Sequence, residues 1–129
     1  MKIMFVSDMF SEDYPGGAEL TTDAFMKTIP DSCTRAGKIH SKNLSIDIVL
    51  QNPDTHFIIC NFTNLEDKVK LYMCKNSNYS IIEYDYKLCQ YRSMKKHEEI
   101  EKKPCDCHET MYGKVNSAFY GYAKKVWFM

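Results

Sequence analysis

The sequence predicts an α/β fold: a Rossmann-like parallel sheet with helices on both faces. Short apolar runs alternate along the chain with segments whose apolar residues recur at helical spacing. The runs are bounded by polar and turn-forming residues, as is typical of strands buried on both faces of a parallel sheet. Right-handed crossovers bring the carboxyl ends of such strands to one edge, where ligands bind. We therefore expect functional residues in the loops that follow the strands.

The first predicted strand is Lys2–Ser7, and it leads into a loop over 8–17 that is rich in Ser, Asp, Pro and Gly. A helical pattern follows and ends at Pro30. Its apolar residues share one predicted face: Ala18, Leu20, Ala24, Phe25 and Ile29. The stretch 33–53 is ambiguous, because 45–50 alternates like a strand and also fits a helical stripe. We favour a helix there.

The rest of the chain continues the alternation. The predicted elements are a strand over 56–62, a helix over 64–75, a strand over 79–84, a charged Cys- and His-bearing loop over 87–109, a helix defined by Val115, Phe119 and Tyr122, and a strand from Val126. We interpret residues 1–129 as one domain. Because the chain stops on an apolar strand, we expect a truncation or a split gene.

Composition excludes several functional classes. Hydrophobic residues make up 44% and charged residues 26% of the chain, which is ordinary for a globular protein. Seventeen basic residues balance seventeen acidic ones, so nucleic acid is not an expected partner. No apolar run is long enough for a transmembrane segment, and the apolar N-terminus is too short for a signal peptide. We expect a cytoplasmic protein with reduced cysteines.

Gly16 and Gly17 follow the first predicted strand and open the first predicted helix. Two glycines let backbone N–H groups approach a ligand closely, and the helix start adds the positive end of its dipole. The pair therefore indicates a cradle for an anion or a sugar phosphate. The alternative is a flexible loop that turns into a helix, since the full dinucleotide fingerprint is absent.

Three segments carry a resemblance to a known family. Lys2–Asp8 followed by Tyr14-Pro15-Gly16-Gly17-Ala18-Glu19 resembles the opening of the family-four, retaining GT-B glycosyltransferases. Ile81–Cys89 is similar to the strand of that family that ends in a His-Asp-Tyr type segment at the cleft, with Tyr84 where many relatives carry histidine. Phe119–Met129 resembles the helix-to-strand step near the end of the first domain.

The resemblance implies the acceptor-side domain of a retaining glycosyltransferase of the hexosyltransferase type. Such an enzyme transfers a sugar from a nucleotide-sugar to a glycan or small-molecule acceptor. It also implies a second, donor-binding domain, supplied in cis or in trans, without which this chain is expected to be inactive. By the same resemblance, Gly16 and Gly17 approach the donor phosphate or sugar, Glu19 orients the acceptor, and Asp85 contacts a sugar hydroxyl. No catalytic nucleophile is assigned.

The residues after the predicted strand over 79–84 carry side chains that can contact a sugar acceptor. The Asp85 carboxylate can accept hydrogen bonds from sugar hydroxyls, and Tyr86, Lys87 and Arg92 can stack on or pair with an acceptor that bears phosphate or carboxylate. In the alternative interpretation, Asp85 caps local backbone while Lys87 and Arg92 form a solvated face.

The predicted loop over 87–109 holds Cys89, His97, Cys105 and Cys107, and His108 can replace His97. Thiolates and imidazole suit tetrahedral Zn²⁺, and four such ligands would make the site structural because no position is left for water. Free or disulfide-linked cysteines are the alternative.

Two other functions stay open. One is a binding module that holds a nucleotide or sugar phosphate without turnover. The other is a zinc-stabilised interaction protein.

Overall fold

The computed structural model describes residues 2–14, 16–30, 34–84, 87–88, 90–91 and 93–128. Within them the chain forms five strands and five helices. The strands are β1 (Lys2–Ser7), β2 (Thr34–His40), β3 (Thr55–Ile59), β4 (Asn78–Glu83) and β5 (Val126–Phe128). The helices are α1 (Gly17–Lys27), α2 (Ile46–Gln51), α3 (Asp67–Asn76), α4 (Met94–Glu101) and α5 (Met111–Tyr122). No helix of the described part is long and apolar enough to cross a membrane.

The five strands form one all-parallel sheet in the order β2-β1-β3-β4-β5. The predicted α/β, Rossmann-like fold is confirmed. From β1 the chain moves outward to β2, then crosses back over β1 to reach β3 and proceeds towards the opposite edge. The strand order therefore reverses between β1 and β3, which is the point where doubly wound sheets bind ligands.

Helices cover both faces of the sheet, because successive side chains of each strand point to opposite sides. On one face Phe5 and Ile58 pack with Phe25 of α1. On the other face, buried side chains of the strands pack with those of α2, α3 and α5, among them Val6, Ile59, Val49, Met73 and Phe119. Both faces of β1, β3 and β4 are thus buried, which explains the short apolar runs within their sequences.

The stretch 33–53 contains a strand as well as the favoured helix. Helix α2 is confirmed, and Ser45 caps it by accepting a hydrogen bond from the Ile48 amide. Strand β2 was missed because it lies at the sheet edge, where pairing with β1 stabilises it without an apolar run. Its register with β1 shifts beside Gly37, whose φ of 120° lies in the region that favours glycine.

The buried face of α1 differs from the predicted one. Leu20 and Ala24 are exposed, while Phe25, Met26 and Ile29 pack against the sheet and Thr22 is buried. The prediction failed because apolar residues alone defined the face. The buried position is a threonine, whose hydroxyl is hydrogen-bonded to the Tyr84 hydroxyl at 2.9 Å.

The segment 87–109 is more structured than a loop. It contains α4 and a 3-10 turn over Cys107–Glu109. Ser93 begins α4 by accepting a hydrogen bond from the Lys96 amide. Most of α4 is exposed and only His97 is buried, so its sequence lacks the apolar stripe that predicts a helix.

Phe119 tests how much the α5 packing contributes to stability. Its fully buried ring stacks on Tyr79 with ring centroids 4.6 Å apart. We expect Phe119→Ala to lower the free energy of unfolding by about 3–5 kcal/mol, because it leaves a cavity in the core. The control Tyr122→Ala, on the same helix but 56% exposed, should change it by less than about 0.5 kcal/mol. Urea denaturation measures both, and equal effects would contradict this packing.

Candidate functional site

A cleft of about 450 Å³ lies at the carboxyl edge of the sheet. Its described lining comes from the ends of β1, β3 and β4 and from the first turn of α1: Asp8, Met9, Ala18, Glu19, Asn61, Thr63, Asn64 and Tyr84. The cleft therefore occupies the β1/β3 reversal point. This is where the sequence analysis expected function to lie.

The Asp8 carboxylate organises the loops around the cleft. One oxygen accepts a hydrogen bond from the Thr63 amide at 3.0 Å, and the other accepts one from the Asn64 amide at 3.0 Å. The Ser41 hydroxyl also donates to Asp8. Asp8 thus ties together the segments that follow β1, β2 and β3. Sequence reasoning did not single it out, although a carboxylate directly after a buried parallel strand was the available signal.

Tyr84 and Glu19 supply further polar groups to the cleft. Burial raises the pKa of the Tyr84 phenol, while the hydrogen bond with Thr22 opposes that rise and the nearby Glu19 carboxylate adds to it. The phenol is therefore neutral at pH 7 and can donate or accept a hydrogen bond. Glu19 lies in the first turn of α1 and lines the same cleft. Its role as an acceptor contact stays a prediction.

The two glycines adjoin the cleft without being among its described lining residues. Gly16 directly precedes α1 with φ −80° and ψ 175°, a backbone conformation open to any residue. A Cβ on Gly16 would lie 2.5 Å from Glu19 Oε2 and 2.8 Å from Tyr14 Cε1, so only a glycine fits without a shift. A Cβ on Gly17 would meet nothing within 4 Å. No side chain caps this helix start.

Lys87 is not placed where the sequence analysis expected it. Only 1% of it is exposed, and its Nζ forms an ion pair with Glu83 Oε1 at 2.9 Å. The amine also lies 5.2 Å from the centre of the Phe62 ring. The solvated face is therefore wrong for Lys87, because its charge is satisfied inside the protein. Its contact with an acceptor stays a prediction. Asp85, Tyr86 and Arg92 lie outside the described residues.

A second buried lysine lies next to this ion pair. Lys70 of α3 donates from Nζ to Asn116 Oδ1 of α5 at 2.9 Å, and its Nζ lies 3.5 Å from Asp67. Burial lowers the pKa of Lys70, while Asp67 raises it. The Asn116 amide group in turn donates to the Lys87 carbonyl at 2.8 Å. One asparagine therefore joins α3, α5 and the segment after β4.

His97, Cys105 and Cys107 form a group that could hold a metal ion. Their ligand atoms all lie within 4.8 Å of one another, and His97 and Cys107 are buried. The Cys107 sulfur is 3.4 Å from His97 Nδ1. The proximity predicted from residue types is thus found for three of the residues named. Cys89 lies outside the described residues, and His108 is not in the group because it is exposed, with its Nε2 3.7 Å from Glu109.

The backbone of α5 positions Cys107. Thr110 Oγ1 donates to the Cys107 carbonyl at 2.6 Å, and the Thr110 side chain also caps α5 by accepting from the Gly113 amide. A Cβ on Gly113 would lie 1.8 Å from the Cys107 carbonyl oxygen. Such contact is possible only because Gly113 lacks a side chain. The turn that carries Cys107 is therefore packed directly on the helix.

Neighbouring side chains orient His97. With Nδ1 facing Cys107, the other ring nitrogen, Nε2, lies 3.7 Å from Asp106 Oδ1. The Tyr91 ring packs edge-on against the imidazole with centroids 5.3 Å apart. At that distance Nε2 does not donate a hydrogen bond to Asp106, so the carboxylate adds negative charge beside the ring and not the hydrogen bond that commonly orients a metal-ligating histidine.

Comparison with known proteins found no protein family, no curated protein and no solved structure that matches this chain.

Gly113→Ala tests the close approach of α5 to Cys107. We expect the free energy of unfolding to fall by about 1–3 kcal/mol, because the new methyl group must push the turn away. The matched control is Gly121→Ala on the same helix, where a Cβ meets nothing within 4 Å. It should be neutral or stabilise by up to about 1 kcal/mol. Thermal and urea unfolding measure both, and effects of the same sign would contradict the packing.

Proposed function

We propose that this chain is the acceptor-side domain of a retaining GT-B glycosyltransferase, which transfers a sugar from a nucleotide-sugar to a glycan or other acceptor. The observation that carries the proposal is the polar cleft at the carboxyl edge, beside a helix that opens with Gly16 and Gly17. This position agrees with the resemblance of the Tyr14–Glu19 segment to that family.

The chemistry of the cleft supports a sugar as ligand. Its volume falls within the range of about 300–1,000 Å³ typical of small-molecule sites. Carboxylate, amide and phenol groups from Glu19, Asn61 and Tyr84 line it, and these groups match the alternating donors and acceptors of sugar hydroxyls. The uncapped start of α1 favours a negatively charged donor phosphate nearby.

Each residue then has a distinct task. Gly16 and Gly17 contact the donor phosphate or sugar, and Glu19 orients the acceptor. Asp85 contacts a sugar hydroxyl. These groups position substrates and stabilise charge, so the chemical step also needs a donor-binding domain in cis or in trans.

Gly17→Val tests the donor contact. We expect at least a tenfold loss of nucleotide-sugar affinity, since losing one hydrogen bond to a charged group costs about 1.5–3 kcal/mol. The melting temperature should hold, because the space around Gly17 is open. Calorimetry with a panel of nucleotide-sugars, with the donor-binding domain supplied, measures the affinity. The control is Gly121→Val, which is exposed and remote in sequence from the α1 start.

Unchanged affinity of Gly17→Val would refute the donor contact. Restored sugar transfer on addition of the donor domain would support the enzyme. Tight binding of a sugar phosphate by this chain alone, without transfer when the donor domain is present, would instead favour a binding module.

For the group of His97, Cys105 and Cys107, we propose structural Zn²⁺ with Cys89 as the fourth ligand. Two thiolates and an imidazole are the donors that zinc prefers in tetrahedral sites. Helix α4 buries little besides His97, so metal ligation can supply the stability that apolar packing does not. A full set of four protein ligands leaves no open position for catalysis.

Cys105→Ser tests the zinc proposal. Protein purified without chelator should hold about one equivalent of zinc by elemental analysis, and the variant should lose most of it and melt at a lower temperature. The control Cys74→Ser alters a free cysteine outside the group and should keep the metal. Absence of zinc together with an unchanged melting temperature of Cys105→Ser would favour free thiols. Metal dependence without any affinity for nucleotide-sugars would favour an interaction protein.

A further inference from the structure

We infer that metal binding at the group of His97, Cys105 and Cys107 controls the cleft, by fixing the described residues of the connection that follows Tyr84: Lys87, Leu88, Gln90 and Tyr91. This inference rests on the proposed metal site. The added role is regulatory: metal binding fixes the position of Tyr84, which lines the cleft.

The first link joins the metal ligands to the far end of the connection. The Gln90 amide donates a hydrogen bond to the Cys107 sulfur, with N and S 3.4 Å apart. Tyr91 packs edge-on against the His97 ring. Two of the three ligand side chains therefore contact the connection directly.

The second link runs through α5. The Cys107 carbonyl packs on Gly113. Asn116 lies three residues further on, which places it on a neighbouring part of the same helix face. Its amide group donates to the Lys87 carbonyl at 2.8 Å. A displacement of α5 by the Cys107 turn would therefore also move Asn116 and disturb the hydrogen bond that holds Lys87.

The third link joins Lys87 to the cleft. Lys87 lies three residues after Tyr84, so the two Cα atoms are at most roughly 10 Å apart. The Lys87 ammonium is paired with Glu83, the last residue of β4, directly before Tyr84. Because both charges are buried, separating them is costly, and Lys87 and the end of β4 move together. The position of Tyr84 in the cleft is thus tied to the position of Lys87.

The free energy that orders α4 comes from metal binding more than from apolar packing. Helix α4 exposes Met94 and Ile100 by about half and buries only His97. Apolar burial therefore offsets little of the conformational entropy lost when this segment is ordered. Metal binding supplies that free energy, and thermodynamic linkage passes part of it to groups that are ordered at the same time.

Hydrogen exchange in the full chain, with zinc alone as the probe, tests the coupling. We expect amides over 84–91 to exchange at least tenfold more slowly in zinc-loaded protein than after chelation, while β1 and β3 exchange equally in both states. The strands should be unaffected because their core contains neither His97 nor Cys107.

Asn116→Asp separates the two links to the connection. It keeps an acceptor for Lys70 but removes the donor to the Lys87 carbonyl. We expect normal zinc binding and retained protection at Gln90, with a loss of most zinc-dependent protection at 84–88. The control Ser117→Ala changes an exposed neighbour on α5 and should behave like the unaltered protein. Asn116→Ala removes the same donor and replaces the aspartate variant if that variant does not fold.

The possible failures are distinguishable. If the protein binds no zinc, the proposed metal site and the coupling both fall. If zinc binds but exchange over 84–91 is unchanged, metal binding by His97, Cys105 and Cys107 stands, while ligation by Cys89 and the coupling are both overturned. If Asn116→Asp keeps full zinc-dependent protection at 84–88, the link through α5 is overturned.

Discussion

The pairing of β1 with a strand on each side is the constraint on which the cleft depends. Because β2 and β3 flank β1 on opposite edges, the chain leaves β1 in one direction and returns in the other, and the loops separate above the strand ends. Asp8 is the first residue beyond β1 and bonds to both diverging sides, through Ser41 and the Thr63 and Asn64 amides. The cleft therefore forms where the strand order reverses, and the Asp8 carboxylate connects the loops around it.

Buried charged side chains fix how α3, α5 and the end of β4 pack on one another. Lys70, Glu83 and Lys87 are each less than 10% exposed, and removing charged groups from water costs free energy. Pairing between Glu83 and Lys87, together with the oxygen acceptors of Asn116 and Asp67 around Lys70, offsets that cost. Loss of any partner would leave a buried charge uncompensated. The network therefore fixes where α3, α5 and the end of β4 lie relative to one another.

The parts of the fold that the sequence predicted are those where one physical effect dominates. Strands β1, β3 and β4 are buried on both faces, so their apolar runs were sufficient. Edge strand β2 depends on backbone pairing, and α4 on local contacts around His97, and neither leaves an apolar pattern. The location of the cleft followed from the rule for parallel sheets.

Individual side chains were harder to predict than elements. The closeness of His97, Cys105 and Cys107 followed from shared ligand chemistry in one short segment. The burial of Lys87 did not, because its partner Glu83 lies in a strand and the spacing of two charges outside a helix gives no indication of contact. Asp8 was overlooked for a similar reason, since its partners are backbone amides more than 50 residues away in sequence.

The sheet and the segment between β4 and α5 are stabilised by different kinds of contact. Among the described residues, the apolar clusters on both faces of the sheet contain neither His97 nor Cys107, so the sheet packs independently of that group. The described residues between β4 and α5 contribute few side chains to those clusters, and they are held by hydrogen bonds, the Glu83–Lys87 ion pair and the contacts of His97 with Cys107. Because the sheet is stabilised by its own core, a ligand can bind at strand ends whose positions are fixed. The segment between β4 and α5 can open locally while the sheet stays folded, because regions of low contact density open at lower free energy than the core.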